Sequence, residues 1–181
     1  ASNMLVANPD KTGLLIIRAR GTTQDTRSIV LGGKIVTESP VHKILGMTIN
    51  NKLTWDDHIY GKGGLISSLN SKLGAIKRIS FHVPAKYMST ITKALLVSKI
   101  RYGIGIYGAV RLTESDPRKS AMNDLQVILN DAMRLLQKKR LVDKMKIEDL
   151  CRKTGIPSIN HMAAEEQIRI VWGAKTRPNS P

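Results

Sequence analysis

The hydrophobic pattern of this chain changes period once. Up to Ile49 apolar residues come in short runs or in alternation, and from Leu65 onward they recur every three or four residues. Residues 41–49 close the first regime. Ile44 and Gly46 point one way and Leu45, Met47 and Ile49 the other, which predicts a strand with at least one buried face. Asn50-Asn51-Lys52 suits a tight turn. Thr54, Asp56 and Asp57 can accept hydrogen bonds from the free N–H groups at a helix start. The order strand, turn, helix start reads as a hinge between two substructures.

Before the hinge, residues 1–7 read as the last turns of a helix that begins upstream. Asn8-Pro9-Asp10 is a turn signal, residues 14–20 read as a strand, and residues 21–27 as a polar loop. Residues 28–30 and 35–36 flank Gly32-Gly33 as a hairpin. With residues 43–49 these predict a small, mostly antiparallel sheet whose apolar face needs a cover. After a glycine-rich joint at 61–64, Leu65, Leu69, Leu73, Ile76 and Ile79 share one helical face. Pro84 opens the next helix, whose expected inner stripe is Tyr87, Ile91, Leu95, Ser98 and Tyr102. Gly103, Gly105 and Gly108 mark either a helix end or a close approach of two helices.

Residues 113–119 read as a loop centred on Ser115-Asp116-Pro117. From Ser120 a long helix is expected to turn Met122, Leu125, Leu129, Ala132 or Met133, and Leu136 inward. It ends at Lys138-Lys139-Arg140, where positive charge suits a helix C-terminus. A short helix at 147–153 stops at Gly155 and Pro157, and Ser158 can cap a last helix through Trp172. The predicted fold class is α+β, a small antiparallel sheet followed by a mainly α-helical bundle with short connections. Its expected divisions are 1–60 (sheet and hinge), 61–112 (basic helices), 113–174 (helical extension) and 175–181 (a polar, frayed tail).

Charge adds what periodicity does not show. The 181 residues carry 29 Lys+Arg against 14 Asp+Glu, a net +15. Residues 1–60 hold 7 basic and 5 acidic side chains and residues 113–181 hold 13 and 9, whereas residues 61–112 hold 9 and none. That middle block has no acid of its own and is expected to have no internal partner for its positive charge, so a polyanion is its expected partner. A membrane surface fits less well, because the cations are spread over several helices, and no apolar run approaches the roughly 18–20 residues of a membrane span. A single cysteine, Cys151, excludes an internal disulfide and fits a reducing, intracellular compartment.

No catalytic constellation stands out. Adjacent aspartates can hold magnesium in polymerases, but such a pair sits on a strand hairpin and works with a further carboxylate. Asp56-Asp57 instead opens a helix, where capping is the favoured role. His42, His58, His82 and His161 lie in four separate elements without the spacing of a zinc site. Gly61-Lys62-Gly63-Gly64 lacks the Gly-Lys-Ser/Thr ending of a phosphate loop, and Cys151 reads as a buried, inert thiol. No cofactor is expected on this chain. What remains is binding, with Lys62, Lys72, Lys77, Arg78, Lys86, Lys93, Lys99 and Arg101 as candidate phosphate contacts. Any one of them can equally be a solvated surface charge. Aromatic content of 4% favours backbone contact with a duplex or structured RNA over stacking on single strands. Lys138-Lys139-Arg140 is either a second contact or a helix-end charge.

Several segments resemble one known family. Lys43-Ile44-Leu45-Gly46-Met47-Thr48-Ile49, Lys52-Leu53-Thr54-Trp55 and His58-Ile59 resemble the segment that leaves the palm and enters the thumb in reverse transcriptases of non-LTR (LINE-type) retrotransposons. Asn8-Pro9-Asp10-Lys11-Thr12 with the apolar residues 14–17 resembles the element after the catalytic hairpin. Leu69-Asn70-Ser71-Lys72-Leu73-Gly74 and Ser98-Lys99-Ile100-Arg101-Tyr102-Gly103 resemble thumb helices, and Thr154-Gly155-Ile156-Pro157 extends the match toward the C-terminus. The resemblance implies a palm end and thumb that grip a template–primer, RNA or an RNA–DNA hybrid, with Leu45 and Gly46 in the turn that supports the primer end. The catalytic aspartates and their magnesium would lie upstream, in a parent RNA-directed DNA polymerase. Gly13, where the family often has a polar or acidic residue, and the loose joint at 61–64 depart from the pattern. The alternative is a non-enzymatic RNA-binding subunit of a large ribonucleoprotein such as a ribosome, derived from such a remnant and working among other proteins, nuclear or ribonucleoprotein-associated. A helix-turn-helix regulator built on residues 147–172 is a third reading, and its second helix is not markedly basic.

Overall fold

In the structure, a computed structural model that describes residues 8–18, 26–108, 117–139 and 142–176, Gly32 and Gly33 turn the chain at φ 55° and 78°. They join β1 (Ser28–Leu31) to β2 (Lys34–Thr37), paired antiparallel from Ser28↔Thr37 to Leu31↔Lys34. The chain forms two compact units, Ala1–Lys62 and Gly63–Pro181. The class is α+β, two small antiparallel hairpins followed by helices.

In the first unit, residues 43–49 are not one strand. β3 (Val41–Ile44) and β4 (Met47–Asn50) fold back on each other with Ile44 opposite Met47, through a two-residue turn at Leu45 and Gly46. The two hairpins stay separate instead of merging into one sheet. Residues 14–18, expected as strand, make only an isolated parallel bridge, Leu14↔Glu38. The one backbone bond of this bridge runs from the Ser39 N–H to the Leu14 carbonyl at 2.9 Å. Point contacts hold the segment instead. The Arg18 guanidinium grips both oxygens of Glu38, with Nη2 donating to Oε2 at 2.6 Å. The Gly13 backbone lies so close to His42 that a Cβ there would fall 1.9 Å from the imidazole Cε1. A side chain at position 13, where the chain departs from the resembled pattern, would therefore force the His42 ring to move.

The fork from Arg18 holds the Glu38 carboxyl below its ordinary value of 4.5, against the opposing pull of burial and with help from the Arg27 backbone. A carboxyl lowered by folding contributes stability that is complete above the unfolded value and lost as pH falls through the lower folded one. Amide exchange at Ser39 should therefore be protected near neutrality and lose protection as pH falls below about 4.5 and through the lowered folded value. Unchanged protection over that range would mean the ion pair does not hold the segment.

Asn50, at the end of β4, ties the hairpin to α1 (Asp56–Ile59), a single turn. Its Nδ2 donates to Thr54 Oγ1 at 2.8 Å and to Asp57 Oδ2 at 2.7 Å, and its Oδ1 accepts from the N–H groups of Thr54 and Lys52 at 2.9 and 3.2 Å. The expected caps are corrected here. Asp56 and Asp57 do lie in the first turn, but Trp55 occupies the N-cap and no side chain caps the helix. Asp57 serves as the anchor for Asn50. His58 and Ile59 are the buried residues of α1, and His58 Nδ1 accepts from the Thr48 N–H at 3.3 Å, a satisfied core histidine.

In the second unit, α2 (Leu65–Ile79) buries Leu65, Leu69, Leu73 and Ile76 as expected, with Ile79 at the rim. The next helix is α3 (Ala85–Thr92), a π turn (Lys93–Val97) and α4 (Ser98–Arg101) in one run. Its buried residues are Met88, Thr92, Leu96, Val97 and Ile100, while Tyr87, Leu95 and Tyr102 are exposed. The expected stripe is thus off by one position. The π turn inserts one residue into the helical count, so Leu96 and Val97 both face inward and Ile100 follows.

Gly103, at φ 77°, ends α4 and starts α5 (Ile104–Tyr107). A Cβ on Gly105 would lie 2.8 Å from Ile170 Cδ1 and 3.2 Å from Glu166 Cβ, so both expected roles of these glycines, helix end and close approach, occur. α6 begins at Pro117, not Ser120, and runs to Leu136; proline is tolerated in a first helical turn, where its missing N–H has no intrahelical partner. Residues 117–119 are therefore helix and not loop. α6 is central, touching α2, α3, α7 (Ile147–Thr154) and α8 (Ile159–Thr176), and it buries Ala121, Met122, Leu125, Ile128, Leu129, Ala132 and Met133. α7 closes on Gly155 at φ 64°. Ser158 Oγ accepts from the His161 N–H at 3.3 Å, the expected cap of α8, which continues four residues past Trp172 to Thr176. Residues 1–7, 19–25, 113–116 and 177–181, on which other expectations fell, lie outside the described residues. Among the described residues no helix is long and apolar enough to cross a membrane.

Candidate nucleic-acid interface

The acid-free block lies almost wholly in the second unit; Lys62 alone closes the first. Lys62, Lys77, Arg78, Lys86 and Lys93 are exposed, Lys72, Lys99 and Arg101 are half-buried, and Arg111 lies outside the described residues. Neighbours in sequence are not neighbours in space. At about 100° per residue, Lys72 and Lys77 flank the buried stripe of α2 on opposite sides, and Arg78 points away from it. One phosphate could not meet all three.

Two of the cations have internal company. Arg101 Nη2 lies 2.8 Å from Glu165 and its Nη1 3.4 Å from Glu166, both on α8. The expectation that nothing in the chain neutralises this block therefore fails at Arg101. Lys93 Nζ sits 3.9 Å from the position a Cβ on Gly155 would take, beside the C-terminal carbonyls of α7, where a cation is favoured. Lys86 Nζ lies 5.9 Å from the Tyr87 ring centre, a surface cation–π contact. Lys72, Lys77, Arg78, Lys86 and Lys99 have no ion pair among the described residues.

Sequence reasoning missed the company Lys77 keeps. Asp131, Arg134 and Leu135 of α6, and Lys139 just beyond it, line a shallow cleft with Lys77. The Lys138-Lys139-Arg140 run was a partial signal, and Arg134, framed by apolar residues, carried none.

Leu45 and Gly46 form the tip of the β3–β4 hairpin at φ 49° and 82°, and Leu45 is 87% exposed. A left-handed conformation suits Gly46 but strains a leucine. Replacing Leu45 with asparagine should stabilise the hairpin by about 1 kcal/mol, read as slower amide exchange in residues 41–50. A loss of stability would mean that contacts of the leucine side chain outweigh its backbone strain.

The described residues contain no group of three or more His, Cys, Asp or Glu placed to hold a metal ion. Asp56-Asp57 does not fit magnesium, since the Asn50 amide already donates to Asp57. Burial, and then Glu148, push the half-buried Cys151 thiol upward, which disfavours a reactive thiolate. Comparisons with protein-family models, with curated proteins and with solved structures find no match to this chain.

Proposed function

We propose that this chain is a nucleic-acid-gripping region of a reverse transcriptase of the non-LTR type, the end of a palm with its thumb, which holds template and primer while chemistry takes place on an upstream domain with its own magnesium. The observation that carries the reading is the block of nine cations without an acid at 61–112, seven of them on helices whose apolar faces are turned inward. Lys72, Lys77, Arg78, Lys86 and Lys99 supply phosphate contacts from several helices, an arrangement suited to duplex shape and not to base reading. The hairpin tip at Leu45-Gly46, strained and exposed, corresponds to the primer-supporting turn that the resemblance implies. Strain retained at an exposed turn is a pointer to function.

Binding to an RNA–DNA hybrid, duplex RNA and single-stranded RNA across a salt series tests this. Engagement of five to nine cations gives a log–log slope on the order of −4 to −8. A preference for the hybrid, weakened by Lys72→Gln with Lys86→Gln, is the expected result. Tight binding to a single structured RNA alone would favour the ribonucleoprotein subunit, and no binding at moderate salt would overturn both readings.

A further inference from the structure

Lys77, near the end of α2, and Asp131, Arg134, Leu135 and Lys139 line an open cleft of about 250 Å³ in the second unit. Three of these five side chains are cationic and one is acidic, so the cleft keeps a net positive charge. Arg134 is mostly buried, with 18% of its side chain exposed, and its one ion pair is long, Nη1 to Asp131 Oδ1 at 3.4 Å. Its Nε–H is buried without a hydrogen-bond partner among the described residues. A covered guanidinium with an unmade hydrogen bond is costly, and its free Nε–H belongs to the Nε–Nη edge, the fork suited to two phosphate oxygens.

Lys139 is held in place by the way α6 ends. The Lys138 N–H donates to the Leu135 carbonyl at 3.1 Å and the Lys139 N–H to the Arg134 carbonyl at 3.0 Å, the paired bonds of a Schellman turn. The left-handed position of that turn, usually glycine, is Lys138 at φ 51°. The turn fixes the backbone of Lys139 over the last turn of α6, beside Arg134.

We propose that this cleft holds a backbone phosphate of the bound nucleic acid, with Arg134 as its bidentate partner and Lys77 and Lys139 completing the charge from the walls. Asp131 orients the guanidinium without cancelling the three cations. The proposal rests on the nucleic-acid reading above and adds Arg134 and Lys139, residues outside the acid-free block, to its contacts.

The test is duplex RNA binding over a salt series with the wild-type chain, the double variant Lys77→Gln/Lys139→Gln and Arg134→Lys, together with the Arg134 Nε–H signal in 15N NMR of the wild-type chain. The double variant should weaken binding and reduce the salt slope by about 1, the share of a single phosphate. Arg134→Lys should weaken binding several-fold with the slope kept, and the Arg134 Nε–H signal should move on addition of RNA. Steep wild-type binding with an unchanged slope in the double variant and a stationary Arg134 signal would overturn the cleft and leave the nucleic-acid reading standing. Absence of wild-type binding would overturn both.

Discussion

Asn50→Asp, a change of one atom group with no change of shape, is expected to destabilise the first unit by about 2–4 kcal/mol. The amide at 50 donates to Thr54 and Asp57 and accepts from two backbone N–H groups, and the residue is only 6% exposed. An aspartate keeps the acceptors, loses both donors and sets a second carboxylate against Asp57, where the present contact is 2.7 Å. Like charges at such a distance cannot both stay ionised without cost. The loss should therefore ease as pH falls, because a protonated carboxyl can donate in place of the lost amide. Amide exchange across residues 47–59 reads the effect. A loss below about 1 kcal/mol, or one indifferent to pH, would show that the side chain does not join β4 to α1.

Leu96→Ala should cost about 2–5 kcal/mol and Leu95→Ala less than about 1 kcal/mol, although the residues are adjacent and identical. Leu96 is fully buried and Leu95 is 38% exposed, so only the first leaves a cavity. Equilibrium denaturation of the two variants checks the phase of the helix directly. Equal losses, or the reverse order, would restore the stripe through Tyr87, Leu95 and Tyr102.

That phase was not legible in the sequence, and the reason is local. α2 offers only one apolar face, Leu65, Leu69, Leu73 and Ile76, so its orientation followed from spacing. Along α3 and the π turn apolar and near-apolar residues come in adjacent pairs, Tyr87-Met88, Ile91-Thr92 and Leu95-Leu96, and either member could have been the inner one. Contacts with α2 and α6 decide between them, and spacing carries no information about those. The break between β3 and β4 was hidden differently. Leucine is not a turn residue, and alternation continues unbroken through Leu45-Gly46, so one glycine was the whole signal. The candidate site was legible as charge and not as arrangement. The acids that meet Arg101 come from 64 and 65 positions further along the chain, and Arg134 reaches Lys77 only because α6 lies on α2.

The π turn at 93–97 also has the character of an insertion the helix has absorbed. A loss of one residue there, Ala94 for instance, would leave an ordinary α-helix and turn everything from Ser98 to Arg101 by about 100°. Arg101 would swing away from Glu165 and Glu166, and Ile100 would leave the core. Through one surplus residue, the length of a single helical turn sets both which side chains seal the second unit and which positive charge is spent inside it.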